Sequence, residues 1–339
     1  MRTDNTPYFD ILCDFQTLLK AHKVARLGKQ GTKDEITFDA ELSQLLWDIS
    51  DALRNGTYRI KGYYRFEIND PKKREIHALY YIDRIVQHAL CDNVLAPIIE
   101  PRLIYDNAAC RIGKGTHFAL ARQTKFLCEY RRKFGEKGYI LRCDIKKFFD
   151  NIDHAVLKAM LRPIISDDRI YAFLEHIIDS YHTTPGKGLP LGNQTSQWFA
   201  IYYLNRFDRL IKEKFGIKYY TRYMDDAVLI HPDKQYLEQV KAELEQYLAS
   251  IGLTFNPKTQ IFPIKNGVEY LGFRFSLNPT GKVIRRVKRA TKKRMQKRLK
   301  KLEKQLKAGE ITEKDIQAVK KSYEAHLKHG TAKGLIKKL

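Results

Sequence analysis

Two adjacent carboxylates, Asp225 and Asp226, stand in the stretch Tyr223-Met224-Asp225-Asp226. Tyr219-Tyr220-Thr221-Arg222 before them and Ala227-Val228-Leu229-Ile230 after them predict two strands joined by a tight turn. Neighbouring anions at a hairpin tip repel each other unless a cation lies beside them. Mg²⁺ answers that need, because it takes carboxylate oxygens and shares its shell with substrate phosphates. A solvated Asp-Asp turn would suit the same two residues. A third carboxylate, Asp144, favours the metal: it stands at the end of the apolar run from Tyr139 to Ile145, where a buried anion needs a partner. Taken alone, Asp144 could instead cap the helix that follows.

The elements around these residues can be read in order. Residues 8–27 and 38–54 show helical apolar spacing, for example Leu42, Leu45, Leu46, Ile49 and Leu53, with Gly56 closing the second helix. Tyr63 to Ile68 and Arg74 to Tyr80 read as paired strands turning at Asn69-Asp70-Pro71-Lys72-Lys73, a basic tip followed by Arg84. A helix is expected from Ile82 to Ile99. Gly113-Lys114-Gly115-Thr116 lacks the earlier glycine of an NTP-binding loop, which excludes an ATPase signature. Lys114, just ahead of a helix from Phe118 to Tyr130, still suits a nucleic-acid phosphate. Residues 154–181 read as helical, and the loop Lys187 to Gln197 leads into a helix from Trp198 to Lys214. After the Asp-Asp hairpin come an amphipathic helix from Lys234 to Ile251 and a strand pair ending at Tyr270-Leu271-Gly272-Phe273.

Charge narrows the partners. The 339 residues carry a net charge of +23 with 43% hydrophobic residues, so the chain has ample core and its charge points to a polyanion. Residues 282–339 hold 21 Lys or Arg against 5 Asp or Glu, placing +16 of the excess in this last segment. There Ile284, Val287, Thr291, Met295, Leu299, Leu302 and Leu306 form one apolar stripe at helical spacing. Arg285, Arg286, Lys288, Arg289, Lys292, Lys293, Lys297 and Lys301 are the expected phosphate contacts beside it. Thr312 with Asp315 starts a second helix, and Gly330 ends it. His326-Leu327-Lys328-His329 has no further ligand nearby in sequence, so it reads as a helix end rather than a metal pair. No run of about eighteen apolar residues and no signal-like N-terminus is present, so a soluble intracellular protein without membrane contact is expected. The five scattered cysteines read as reduced thiols.

Together these blocks resemble a reverse transcriptase, from about residue 20 onward and in the family's order. Asp144 with Phe148-Phe149-Asp150 is similar to the first palm motif, and Tyr223-Met224-Asp225-Asp226 to the catalytic hairpin. Asn256 and Lys258 resemble the next palm block, and Tyr270-Leu271-Gly272-Phe273 the primer grip. Leu191-Gly192-Asn193-Gln194-Thr195-Ser196-Gln197 resembles the enzymes of diversity-generating retroelements, as do Asp83 to His88, Gly113 to His117 and the basic C-terminal unit. No maturase or endonuclease segment follows, which points away from a complete group II intron protein.

The resemblance implies an α/β (α+β) right-hand polymerase. Residues 1–139 would be an N-terminal extension and fingers, 140–283 an antiparallel-sheet palm with an insertion at about 163–188, and 284–339 a basic helical thumb. It implies two Mg²⁺ ions about 4 Å apart, with Mn²⁺ able to substitute, on Asp144, Asp225 and Asp226 with Ile145 beside them. Lys72, Arg74, Arg84, Phe148, Phe149, Leu191, Gly192, Gln197 and Lys258 would bind the incoming dNTP, and Leu271, Gly272 and Phe273 would grip the primer. Phe149, five residues after Asp144, would collide with a ribose 2′-hydroxyl and so select deoxynucleotides. Leu191 replaces a glutamine that bonds near the incoming nucleotide in relatives, which should loosen discrimination. The implied activity is cytoplasmic RNA-directed DNA synthesis in a bacterium or phage, error-prone at template adenines. The implied partners are a template RNA, a cDNA or primer strand, and a small basic accessory protein, itself oligomeric. A host-defence or intron-type reverse transcriptase and a non-catalytic RNA-binding protein on the same fold are the rival readings.

Overall fold

The computed structural model describes residues 8–27, 33–69, 73–278 and 280–336. Two compact units alternate along the chain: Met1–Ile104, Lys146–Asp208 and Tyr247–Thr254 make the first, and Tyr105–Ile145, Arg209–Gln246 and Phe255–Leu339 the second. Among the described residues, no helix is long and apolar enough to cross a membrane.

In the first unit, the helix expected over 8–27 is two, Tyr8–Cys13 and Phe15–Ala25. The break falls at Asp14, whose carboxylate accepts from the Thr17 amide at 2.8 Å and so starts the second helix. The segment 38–54 likewise divides into Lys33–Ala40 and Leu42–Arg54, the latter followed by Gly56 at φ +66° as expected. Strands β1 (Tyr63–Ile68) and β2 (Arg74–Leu79) pair antiparallel from Tyr63↔Leu79 to Ile68↔Arg74. The tip of that hairpin, with Lys72, lies outside the described residues. Helix Tyr81–Leu90 runs on through a π turn at Cys91–Leu95 to Ala96–Ile99 and buries Ile85, Val86, Ala89 and Leu90. Its first turn is tied down by Asp83, which accepts from Tyr58 Oη at 2.6 Å and the Lys61 amide at 3.1 Å. Burial raises that carboxyl above its ordinary range. The stretch 154–181 resolves into His154–Leu161, a 3₁₀ turn and Asp168–Asp179, because Asp167 caps a new helix on the Arg169 and Ile170 amides. The helix expected from Trp198 to Lys214 begins earlier, at Gln194, breaks after Tyr203 and resumes as Asn205–Arg209 and a π turn at Leu210–Lys214.

The second unit is built on a four-stranded antiparallel sheet. Strands β3 (Tyr139–Cys143), β4 (Tyr219–Tyr223), β5 (Asp226–His231) and β6 (Gln260–Pro263) lie in the order β4-β5-β3-β6. A second sheet carries β7 (Val268–Tyr270), β8 (Phe273–Leu277) and β9 (Val283–Val287) in that order. Helix Thr116–Phe134 joins both to one core, in which Leu120, Phe126 and Tyr130 pack with Ile140, Tyr219, Tyr270, Phe273 and Phe275. Fully burying each large apolar side chain is worth roughly 1.5–3 kcal/mol, which makes this cluster the main support of the unit's two sheets.

The C-terminal segment departs from the expected helix over its first residues. Ile284 and Val287 belong to β9, which pairs with β8 from Phe273↔Val287 to Leu277↔Val283. The helix starts only at Arg289 and runs to Lys307, burying Met295, Leu299 and Leu302. Spacing of three and four residues from 284 to 291 imitates a helix, but the partner strand takes the backbone hydrogen bonds first. Helix Glu313–Leu327 begins with the Thr312–Asp315 capping box read from the sequence.

Candidate active site

The two-residue turn Met224-Asp225 joins β4 to β5, with Tyr223 paired to Asp226. Met224 sits at φ +54°, a left-handed conformation that an unbranched side chain tolerates only under restraint. The restraint is Arg222, fully buried one residue before the tetrad, whose guanidinium donates to the Met224 carbonyl at 2.7 Å. The Arg222 backbone is held in turn by the Asp106 carbonyl and the Ala108 amide. Sequence reading passed over Arg222 as a strand residue; its signal was a cation in an otherwise aromatic run.

Asp144 follows β3, where Cys143 lies opposite Ala227, so Asp144 and Asp226 emerge from adjacent strand ends. The Asp144 peptide is clamped by one loop: Thr259 bonds to both its amide (3.0 Å) and its carbonyl (3.1 Å), and the Asn256 amide donates to the same carbonyl at 2.7 Å. The predicted Asn256–Lys258 block therefore positions an aspartate, and Thr259, which sequence reading did not single out, does most of it. Lys258 itself is exposed, its amide on Asn256 Oδ1. Ile145 is buried and bridges to Phe255.

Asp226 reports the electrostatics. Burial pushes its carboxyl up to about 6; Arg142 opposes the rise, and the Asp225 and Asp144 carboxylates add to it. Arg142 Nε lies 3.4 Å from Asp226 Oδ1. Sequence reading missed Arg142 too, although it precedes Asp144 by two residues and so shares its face of the strand. Among the described residues no three His, Cys, Asp or Glu side chains converge as a ready metal cage. The donor set nevertheless suits a hard divalent cation: three carboxylates at neighbouring strand ends, whose mutual repulsion Arg142 offsets only in part at Asp226.

The raised Asp226 carboxyl has a consequence for stability. The folded value of Asp226 is raised above its unfolded 3.8, so the contribution is full below about pH 4 and is lost as pH rises through about 6. Asp226→Asn should relieve this loss. In EDTA, the variant's stability relative to the parent should improve by about 2–3 kcal/mol between pH 4 and pH 8. Denaturant melts at both pH values check it, and a difference that does not vary with pH would contradict the assignment.

The remaining predicted residues divide between the units. In the first, Arg84, Gly192 and Gln197 line one cavity of about 490 Å³, whereas Arg74, Phe148, Phe149 and Leu191 are not among its walls. Arg84 Nε donates to the Leu79 carbonyl at 3.0 Å, and Arg74 is exposed. Phe148 is buried, and half-buried Phe149 packs edge-on to it with centroids 5.5 Å apart. In the second unit, Leu271 (φ +47°) and Gly272 (φ +84°) form the tight turn between β7 and β8. Phe273 is buried against the ring of His326, and a Cβ on Gly330 would lie 2.8 Å from it, so the C-terminal segment closes directly on the predicted primer grip. Lys114 is drawn over the rings of Tyr105 and Phe118, at 4.4 and 4.9 Å. Arg286, Arg289, Lys292, Lys293, Lys297 and Lys301 are exposed, while Arg285 is half-buried and Lys288 pairs with Glu269 at 2.8 Å. His329 is not alone, as the sequence suggested: its Nδ1 lies 3.1 Å from His117 Nδ1.

Comparison with known proteins gives this geometry its context. The family profile described as reverse transcriptase (RNA-dependent DNA polymerase) matches residues 69–275, more than half of the chain. The chain is 26% identical to the group II intron-encoded protein LtrA of Lactococcus lactis subsp. cremoris, over 67% of its own length and 39% of LtrA. It is 25% identical to protein YkfC of Escherichia coli K12, over 69% of its length and 72% of YkfC. A telomerase from Candida albicans, solved with a fragment of telomeric RNA, aligns with a TM-score of 0.49 at 14% identity, covering 68% of this chain and 46% of that one. That last likeness is too weak to argue from. The chain thus spans well under half of the intron-encoded protein, and it belongs to the reverse transcriptase family.

Proposed function

We propose that this protein copies RNA into DNA by nucleotidyl transfer at Asp144, Asp225 and Asp226. The observation that carries this reading is the arrangement of those aspartates at adjacent strand ends, two of them with backbones pinned by Thr259 and Arg222. Bound to the three carboxylates, Mg²⁺ would activate the primer 3′-hydroxyl and neutralise charge on the triphosphate. The chain's own residues do the rest. Arg222 keeps Asp225 from swinging with its turn, and Arg142 stands by Asp226 as an interim countercharge. Arg74 and Arg84 bind the triphosphate, Phe149 excludes the ribose 2′-hydroxyl, and residues 140–283 serve as palm with 284–339 as thumb. The exposed lysines of helix Arg289–Lys307 hold backbone phosphates of the template–primer duplex.

Within that chemistry we place the enzyme in a diversity-generating retroelement, working with a template RNA and a small basic accessory protein. Leu191 supports this: an apolar side chain where a polar one would bond the nascent pair removes a contact that only correct pairs make. A second reading, an intron-type enzyme, is favoured by the intron-encoded relative. Sequencing of cDNA copied from a mixed-sequence RNA separates them. Errors opposite template adenines should exceed those opposite the other bases by about tenfold or more. An even error rate over all four bases would leave the intron-type reading standing in its place.

A further inference from the structure

Another cavity of the first unit, of about 470 Å³, is walled by none of the residues assigned above. Helix Tyr8–Cys13, the turn that follows helix Leu42–Arg54, and helix Asp168–Asp179 enclose it. Its walls hold Arg54, Arg59 and Arg169 and no carboxylate. Asp10 stands beside them, its Oδ1 3.9 Å from the Nη1 atoms of both Arg54 and Arg169. That is beyond hydrogen-bond length, so one exposed carboxylate lies between two guanidinium corners without bonding to either. Asp167 aims the rest of Arg169, accepting from Nε at 3.2 Å and from Nη2 at 2.9 Å. Arg59 is fixed as well, its Nη1 donating to the Gly56 and Tyr58 carbonyls at 2.8 Å each. Three oriented cations against Asp10 and Asp167 leave a positive balance around one space, which calls for an anion.

The remaining walls state what the anion is attached to. Half-buried Phe173 meets buried Tyr58 edge-on, with centroids 6.0 Å apart, and Phe9 adds a third ring, over which Arg169 lies at 4.3 Å. His176 adds a donor rather than a charge. Burial and, after it, Arg59 lower its pKa, and its Nε2 accepts from the Ile60 amide at 3.3 Å, which leaves the ring proton on Nδ1. The volume lies within the roughly 300–1,000 Å³ of small-ligand sites, so it admits one nucleotide and excludes a duplex. A flat ring on aromatic side chains with its phosphate on guanidiniums is how unpaired nucleotides are held. An acidic peptide would satisfy the arginines but leave the aromatic wall without a stacking partner.

We propose that this cavity binds a single unpaired nucleotide, its phosphate between Arg54 and Arg169 and its base against Phe173. The chemistry is that of a nucleoside 5′-monophosphate, free in solution or as one residue of an RNA strand. Asp10 gives up little when the phosphate takes its place, because exposed ion pairs at such a distance are weak. The inference goes beyond the polymerase reading and does not rest on it: a chain that adds no nucleotide would still bind one here.

The test is photocrosslinking of the full chain to a single-stranded RNA that carries 4-thiouridine and, separately, to 8-azido-AMP, with the labelled peptides identified by mass spectrometry. Label should appear within residues 53–59 or 169–176, which line the cavity. Label there from the RNA that excess UMP does not chase makes the ligand a strand residue. Label there from 8-azido-AMP alone makes it a free nucleotide, and either result supports the proposal. The double replacement Arg54→Gln and Arg169→Gln should raise the probe concentration for half-maximal labelling of these segments about tenfold, and Phe173→Leu should do the same by removing the stacking ring. No label within either segment of the parent protein, from either probe, would overturn the proposal, even if the variants failed to fold. So would label there that both sets of replacements leave at the parental yield and half-maximal concentration. Primer extension is read separately, and its absence in the parent protein would fall on the polymerase reading alone.

Discussion

Asp225→Asn should reduce nucleotide addition by about a thousandfold or more while leaving the fold and RNA binding nearly unchanged. Several kcal/mol of transition-state charge stabilisation pass through a catalytic metal, and about 4 kcal/mol corresponds to three orders of magnitude. The substitution keeps the shape of the side chain but weakens its hold on a hard cation. Asparagine is well tolerated in turns, and Arg222 fixes the neighbouring Met224 carbonyl whatever occupies position 225. Circular dichroism and a template–primer binding titration establish that the variant is intact. Primer extension at the parental rate with Mg²⁺ would remove Asp225 from the site.

Phe149→Ala should raise the use of ribonucleotides relative to deoxynucleotides by about 10- to 100-fold, the range expected when a steric wall is removed from a pocket. The local geometry restrains Phe149. It belongs to the short helix Phe148–Asn151, entered through Lys147 at φ +45°. Its ring packs edge-on to buried Phe148, and its carbonyl accepts from the Leu189 amide at 2.9 Å. The proposed steric role needs a ring held in place, and these two contacts restrain it. Competition between dATP and ATP in single-nucleotide extension reads the ratio directly. An unchanged ratio would mean that sugar selection lies elsewhere, although the carboxylate chemistry would stand.

What the sequence made legible was what local pattern encodes. Short runs rich in aromatic, β-branched and aliphatic residues on either side of Asp225-Asp226 gave the hairpin and its turn, because such residues favour strands and the two carboxylates favour a turn. The Thr312–Asp315 box gave a helix start for the same reason. Ile284 and Val287 misled because three- and four-residue spacing also arises by chance in a short strand, and only pairing with β8 decides between the two. Arg142 was within reach, two residues from Asp144 on one strand face. The contact of His117 with His329 was not, since more than two hundred residues separate them. The convergence of Arg54 and Arg169 on one cavity was equally hidden: in sequence, each is an ordinary basic residue near a helix end.

RNA-templated primer extension by the purified full chain, with and without Mg²⁺, tests the central claim most directly. Template-dependent addition of deoxynucleotides is expected, requiring Mg²⁺ and disappearing in Asp144→Asn and Asp225→Asn alike. Extension that survives in both variants, or a folded, RNA-binding parent protein that adds no nucleotide with Mg²⁺ or Mn²⁺, would contradict it.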